Sequence, residues 1–184
     1  MNTRLVGSEM CIRDRTVLGK KKYAIKAMKH ITKYDISITK WFEGIEDKEY
    51  SLRYGENPQQ KATAFINNNM FKQLSGEKKL SYNNLLDLDA ALTIAYSTNS
   101  NKHICTIVKH NIPCGASIET SQIKSYTNAL DGDPVSAFGG VVAFNKKVTS
   151  LTAKNLLKNF YEVVAAPDFD SEALKILKKK VNLR

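Results

Sequence analysis

A lysine and a histidine, Lys109 and His110, directly follow a short apolar run in this 184-residue chain. The run, residues 104–108, is rich in β-branched side chains, which is typical of a buried strand. Ligands of open α/β sheets bind beyond the carboxyl ends of strands, so we expect the pair at such an edge. There the lysine could stabilise developing negative charge and the histidine could accept a proton near neutral pH. A solvent-exposed loop would account for the same two residues.

Two further segments could bind an anionic ligand. Arg53-Tyr54-Gly55 offers a guanidinium suited to a phosphate, an aromatic side chain, and a glycine that lets a ligand approach the backbone. Residues 136–140 offer backbone amides and a hydroxyl before a second predicted strand, which would suit an anion or a ribose. Neither segment matches a P-loop or a dinucleotide-binding fingerprint. The alternatives are a surface turn for the first segment and tight strand packing for the second.

The sequence does not predict a zinc site. Pro113-Cys114 is similar to half of the PCxxC signature of nucleobase deaminases, but Ser117 stands where the second cysteine would be. No histidine of the chain begins an HxE motif, and zinc needs four protein ligands or three plus water. Cys105, inside the apolar run, is expected to be a buried apolar residue.

Apolar periodicity predicts the elements that would position these residues. Residues 1–15 show no periodicity and are interpreted as a non-native or disordered tail. A long amphipathic helix is predicted from Tyr23 to about Gly44, followed by a polar linker. Further helices are predicted near residues 84–97, 121–130 and 151–159 and after Pro167, and strands at residues 62–66, 104–108, 141–144 and 163–165. Strands that alternate with helices indicate an α/β layered fold with a largely parallel or mixed sheet.

The composition narrows the classes of function. Lys and Arg number 28 against 18 Asp and Glu, and the net charge of +10 favours anionic partners without identifying one. The three cysteines form no CxxC pair, and no apolar run approaches the roughly 18 residues of a membrane helix. We therefore expect a reducing, cytoplasmic environment and no membrane partner. A basic nucleic-acid-binding module is an alternative, although the chain has no RNP or helix-turn-helix signature.

Together the motifs resemble a known family, the bifunctional purine biosynthesis proteins that couple AICAR transformylase to IMP cyclohydrolase. The matching segments are residues 52–58, 80–84, 87–91, 107–110, 113–115, 133–134, 136–140, 143–145 and 166–167. The resemblance implies a cytidine-deaminase-like layered α/β subdomain without zinc, preceded by the long helix. It further implies that residues 16–44 end the cyclohydrolase domain, that 45–51 are a linker, and that 52–184 are the truncated first part of the transformylase domain.

The resemblance also implies roles for six residues. Lys109 would stabilise the transition state, and His110 would accept a proton from the 5-amino group of AICAR ribonucleotide. That amine would attack the formyl carbon of 10-formyltetrahydrofolate, the co-substrate. The implied nucleotide contacts are Arg53, through the phosphate, Tyr54, Gly139 and Glu162. The full-length protein would be a cytoplasmic homodimer that needs no metal and binds no nucleic acid.

Three features depart from the family pattern. Gln59 stands where histidine is common, and Glu162 stands where some relatives have aspartate, which keeps the charge but changes the reach. The chain stops at Arg184, whereas the family has its folate contacts and further AICAR contacts in a second half, some donated by the partner subunit. The cyclohydrolase site would lie upstream of residue 16. We therefore expect this chain to be inactive alone; the alternative is a zinc-free, deaminase-like nucleotide-binding domain.

Overall fold

A computed structural model describes residues 16–43, 47–67 and 71–184 of the chain. The tail predicted over residues 1–15 lies outside these ranges. The chain divides after Lys48 into two compact units, which are described separately.

The long helix of the first unit, α1, runs over Val17–Glu43. The sequence predicted a start at Tyr23. The helix begins six residues earlier, so it includes the basic segment that precedes the apolar residues. No residue of α1 is buried, although residues of its predicted apolar stripe, such as Ile31 and Trp41, are large and apolar. Within the described ranges, no helix has both the length and the apolar character that crossing a membrane requires.

Most of the predicted linker, residues 45–51, forms a strand. β1 (Asp47–Ser51) pairs with β2 (Thr63–Asn67) in a two-stranded sheet. The polar sequence of β1 lacks the alternation that would have predicted a strand, and its position is fixed by tertiary contacts of Tyr50. That side chain packs against the core and donates a hydrogen bond to Gln73 Oε1 at 3.1 Å. A segment can join domains and also form a strand, so the domain boundary stays a prediction.

The second unit contains a four-stranded mixed sheet with the order β4-β3-β5-β6. Its strands are β3 (His103–Lys109), β4 (Ile112–Glu119), β5 (Val141–Phe144) and β6 (Val163–Ala165). β3 runs antiparallel to both of its neighbours, while β5 and β6 are parallel. The predicted α/β class with a mixed sheet is confirmed.

The strand β4 was missed because Pro113 and Gly115 indicated a loop. β4 is an edge strand, where the absent N–H of a proline costs little because one side of the strand has no partner in this sheet. It forms a hairpin with β3 in which Lys109 pairs with Ile112, and the register shifts between Ile107 and Val108.

Helices cover both faces of this sheet. The helices are α2 (Tyr82–Ala95), α3 (Gln122–Gly132), α4 (Ser150–Leu156) and α5 (Ser171–Leu177). Cys105 and Ile107 of β3 face a core shared with α3, α4 and α5, whereas Ile104 and Val108 face a core shared with α2. A strand buried on both faces explains the unbroken apolar run, and the predicted burial of Cys105 is confirmed.

The start of α2 is fixed by a capping box. The Ser81 hydroxyl accepts a hydrogen bond from the Asn84 N–H at 3.2 Å, and Asn84 Oδ1 accepts one from the Ser81 N–H at 3.1 Å. This arrangement satisfies two N–H groups that the helix leaves unpaired, and it places the first turn two residues earlier than predicted.

Gly140, the residue before β5, lies directly against β3. A Cβ atom at this position would be 2.8 Å from the carbonyl oxygen of Val108 and 3.1 Å from that of Ala137. Because both are backbone atoms, neither can move away as a side chain could. The hypothesis that a glycine of residues 136–140 allows tight packing between strands is therefore correct for Gly140.

We predict that Gly140→Ala lowers the free energy of unfolding by about 1–3 kcal/mol, since the added methyl group must push β5 away from β3. Val135→Ala, at a side chain that is 84% exposed in the same segment, is the control and should change it by less than about 0.5 kcal/mol. Urea denaturation measures both. Equal stability of Gly140→Ala and the unmodified chain would contradict the packing described here.

Candidate functional site

Lys109 lies at the carboxyl end of β3, as the sequence predicted. Its half-buried side chain donates a hydrogen bond from Nζ to the carbonyl oxygen of Phe138 at 2.7 Å. Because β3 and β5 are antiparallel, with Val108 paired to Val141, the end of β3 lies beside the start of β5. Lys109 is thereby bound to the segment that contains Gly139.

The segment 136–140 does not offer free amides to a ligand, so that part of the prediction is wrong. The N–H groups of this segment all donate to oxygens within the protein; the acceptors are Asp133 Oδ1 and the carbonyls of Asp133, Val135, Phe160 and Ala137. Gly139 itself donates to Phe160 at 2.8 Å and has a φ of +78°, which favours glycine. The segment is therefore a rigid, internally bonded turn, and a ligand would meet its carbonyl oxygens and side chains.

Glu162 precedes β6 and lies beside Gly140. The parallel register pairs Val141 with Val163, and the Glu162 N–H donates to the carbonyl oxygen of Gly140 at 3.0 Å. The end of β3 and the starts of β5 and β6 thus meet at one edge of the sheet. Three of the six predicted residues, Lys109, Gly139 and Glu162, are brought together there.

A buried polar network holds the Glu162 carboxylate. Its Oε2 accepts hydrogen bonds from Asn84 Nδ2 at 2.6 Å and from Arg184 Nη2 at 3.1 Å. Arg184 is 8% exposed, and it also donates from Nη1 to Asn84 Oδ1 and to the carbonyl oxygen of Lys79, each at 3.1 Å. The network joins the first turn of α2 to the start of β6.

Two residues of this network, Asn84 and Arg184, were not predicted from the sequence. Asn84 could have been found as the third residue after Ser81 in a capping pattern, although the usual residue there is Glu or Gln. No local signal marks Arg184, because it follows a lysine-rich stretch of the kind that is usually exposed to solvent. Its role depends on contacts with residues about a hundred positions earlier in the chain.

Arg53 and Tyr54 lie beside the start of α2. The Arg53 N–H donates to the carbonyl oxygen of Leu80 at 2.9 Å, and the Tyr82 N–H donates to that of Tyr54 at 3.1 Å. The Arg53 guanidinium donates to the Tyr54 hydroxyl at 2.8 Å and lies 4.6 Å from the centre of that ring. This stacking orients an exposed cation that could bind a phosphate.

The electrostatics connect Arg53 and Tyr54 to the buried network. Burial lowers the pKa of the Arg184 guanidinium; the Arg53 charge lowers it further, whereas Glu162 and Tyr54 raise it. The hydrogen bonds agree: Arg53 is bonded to the carbonyl of Leu80 and Arg184 to that of the preceding residue, Lys79, so both lie at the segment that leads into α2. The glycine that follows them is not open to a ligand, because a Cβ on Gly55 would be 3.0 Å from the Gln60 side chain.

His110 lies in the two-residue turn between β3 and β4. His110 and Asn111 have φ angles of 55° and 63°, which is the conformation of a type I′ hairpin turn. The His110 side chain is exposed to solvent, one residue beyond Lys109. The turn thus presents the imidazole at the same edge of the sheet that carries Lys109.

A cavity of about 600 Å³ lies along β6, and Arg184 of the buried network is among the residues that line it. Its wall is mostly apolar and includes Phe71, Leu92, Phe169 and Leu177, and none of the six predicted residues lines it. Within the described residues, no group of three or more His, Cys, Asp or Glu could hold a metal ion. Burial raises the pKa of the Cys114 thiol, which disfavours the thiolate that a metal would need.

The fold and this edge define a class of protein: a three-layer α/β domain with a lysine, a histidine and a buried acid–base network at the strand ends. The family model described as AICARFT/IMPCHase bienzyme matches residues 8–184. The chain belongs to this family.

Similar proteins carry one name, "Bifunctional purine biosynthesis protein PurH". The protein of Prochlorococcus marinus strain MED4 is 47% identical over 90% of this chain and 36% of its own length. The protein of Clostridium botulinum strain 657 is 43% identical over 90% of this chain and 36% of its own length. That of Brachyspira hyodysenteriae is 39% identical over 98% of this chain and 40% of its own length. The chain therefore spans 36% to 40% of the length of these relatives.

We predict that Arg184→Met lowers the free energy of unfolding by about 1–3 kcal/mol, because it leaves Glu162 and Asn84 without their buried partner. Lys175→Met is the matched control: it removes an exposed ion pair with Glu172 and should cost less than about 0.5 kcal/mol. Thermal and urea denaturation of the chain measure both. Equal losses of stability in the two variants would contradict a stabilising role for this network.

Proposed function

We propose that this chain is part of a bifunctional enzyme of purine biosynthesis and carries the nucleotide side of its AICAR transformylase site. The observation that supports this most strongly is the convergence of Lys109, Gly139 and Glu162 at one sheet edge, with Arg53 and Tyr54 bonded to the segment that leads into α2 and Glu162 bonded to the first turn of that helix. The family match and the names of the relatives support the same reaction.

The domain organisation follows from this proposal. Residues 16–44 would end the IMP cyclohydrolase domain, and residues 52–184 would begin the transformylase domain with a cytidine-deaminase-like subdomain that has no zinc. The mixed sheet, with β3 antiparallel to its neighbours and helices on both faces, is compatible with such a subdomain. The whole protein would act as a homodimer in the cytoplasm.

The nucleotide would bind between two sets of residues. One is Arg53 with Tyr54, and the other is Lys109, Gly139 and Glu162. The Arg53 guanidinium would bind the phosphate of AICAR ribonucleotide, with the Tyr54 ring fixing its orientation. Glu162 Oε2 is occupied by Asn84 and Arg184, so Oε1 would accept hydrogen bonds from the ligand. Gly139 would contact the ligand through its backbone. The positive charges of Arg53 and Lys109 would favour an anionic substrate, since the charge of Arg184 is paired with that of Glu162.

The reaction needs both an acceptor of a proton and a stabiliser of negative charge. The 5-amino group would form a bond to the formyl carbon of 10-formyltetrahydrofolate and lose a proton to His110. The bond from that carbon to N10 would break, and N10 would leave as tetrahydrofolate with the proton that His110 has accepted. Lys109 has three N–H donors, of which one is bound to Phe138, so the others could stabilise the oxyanion on the formyl group.

We predict that Lys109→Ala and His110→Ala each reduce formyl transfer by the full-length protein at least about 100-fold, because each removes a group that acts in the transition state. Lys124→Ala, at an exposed position on α3, is the control and should leave the rate unchanged. Steady-state kinetics with AICAR ribonucleotide and 10-formyltetrahydrofolate measure all three. Near-normal rates in both site variants would overturn these roles.

For the isolated chain we predict no formyl transfer, since groups from the rest of the enzyme must also hold the reactants in place.

Calorimetric titration distinguishes a nucleotide site from a basic nucleic-acid-binding surface. AICAR ribonucleotide should bind the full-length protein at least about tenfold more weakly in Arg53→Gln than in the unmodified protein. A random oligonucleotide that binds tightly, with an affinity that falls steeply with salt, would contradict the proposal.

A further inference from the structure

We propose that Asp87 is a positioning residue for His110, which it fixes by accepting a hydrogen bond from the backbone of the hairpin turn. This inference rests on the proposed function, in which His110 accepts the proton of the substrate amine. The contact that carries it joins Asp87 Oδ1 to the N–H of Asn111 at 2.6 Å.

The turn that carries His110 needs support from outside the hairpin. The strand pairing closes at Lys109 and Ile112, so only two residues, His110 and Asn111, connect the strands. Both have positive φ angles, a conformation that costs free energy for residues other than glycine. Asn tolerates it better than most residues, but a turn of two non-glycine residues can relax to other conformations unless something holds it.

Asp87 supplies a fixed acceptor for this turn. Asn111 belongs to the turn, so its N–H is not part of the β3–β4 strand pairing, which ends at Lys109 and Ile112. A carboxylate makes a shorter and stronger hydrogen bond to such a donor than a neutral oxygen does. The bond therefore selects the φ of Asn111 and, through the shared peptide unit, the direction in which His110 leaves the strand.

The position of Asp87 is itself rigid. Asp87 lies in the second turn of α2, and the next residue, Leu88, is buried in the same core as Val108 of β3. The capping box at Ser81 fixes the start of that helix. The acceptor and the end of β3 therefore belong to one packed unit, and a displacement of the turn would have to break the bond.

Amide exchange of the chain itself tests the bond. In Asp87→Ala we expect the Asn111 amide to exchange at least about tenfold faster, because its acceptor is gone. Asp89→Ala, at an exposed aspartate of the same helix, is the control and should leave that amide unchanged. The melting temperature should change little in either variant, since the released N–H is exposed and can bind water.

Kinetics of the full-length protein test the consequence for catalysis. Asp87→Ala should lower kcat roughly 10- to 100-fold while the KM for AICAR ribonucleotide changes less than about threefold, because the base is misplaced and the nucleotide contacts remain. Asp87→Asn keeps an acceptor oxygen and should retain most of the rate. Adding Asn111→Gly to Asp87→Ala should recover at least about half of the lost rate on a logarithmic scale, since glycine adopts a positive φ without help.

The outcomes separate this inference from the proposed function. An Asn111 amide that exchanges equally in Asp87→Ala and in the unmodified chain overturns the inference and leaves the proposed function intact. The inference is also overturned, and the proposed function left intact, if Asp87→Ala lowers kcat and adding Asn111→Gly does not restore it. Asp87 would then act by another route. If His110→Ala turns over normally, the role of His110 fails, and with it the kinetic consequence drawn here.

Discussion

The close approach of Gly140 to β3 is the constraint on which the sheet edge depends. The absence of a side chain lets β5 start against the carbonyl oxygen of Val108, and the carbonyl of Gly140 then accepts the N–H of Glu162. One residue thus joins three strands where β3 ends and where β5 and β6 begin. These backbone contacts bring Lys109, Gly139 and Glu162 to the same edge.

The side chains at this edge are held by polar contacts that reach into the core. Lys109 is bound to a backbone carbonyl, and Glu162 is bound by Arg184 and Asn84. A carboxylate that is already paired on one oxygen keeps its direction while the other oxygen stays available. The exposed groups, Arg53 and His110, are fixed differently, one by stacking on Tyr54 and the other by the backbone of a strained turn.

The sequence predicted those parts of the fold that depend on local pattern. β3, β5 and β6 were found because strands buried on both faces are continuous apolar runs, and Lys109 was placed correctly because it ends such a run. β4 was missed because Pro113 is tolerated only at a sheet edge, a fact about the neighbours and not about the segment. The free amides expected over residues 136–140 were wrong because four of the five donate to oxygens three or four residues earlier in a tight turn, and Gly139 donates to the more distant Phe160. Arg184 was missed because its partners Lys79 and Asn84 lie about a hundred positions earlier in the chain.

We propose that this sheet edge, and not the apolar part of the cavity along β6, binds the nucleotide. A crystal structure of the full-length protein soaked with AICAR ribonucleotide tests it most directly. We predict difference density with the phosphate within hydrogen-bond distance of Arg53 and the base beside Lys109, Gly139 and Glu162. Density confined to the cavity lined by Phe71, Leu92 and Phe169, with this edge unoccupied, would contradict the account.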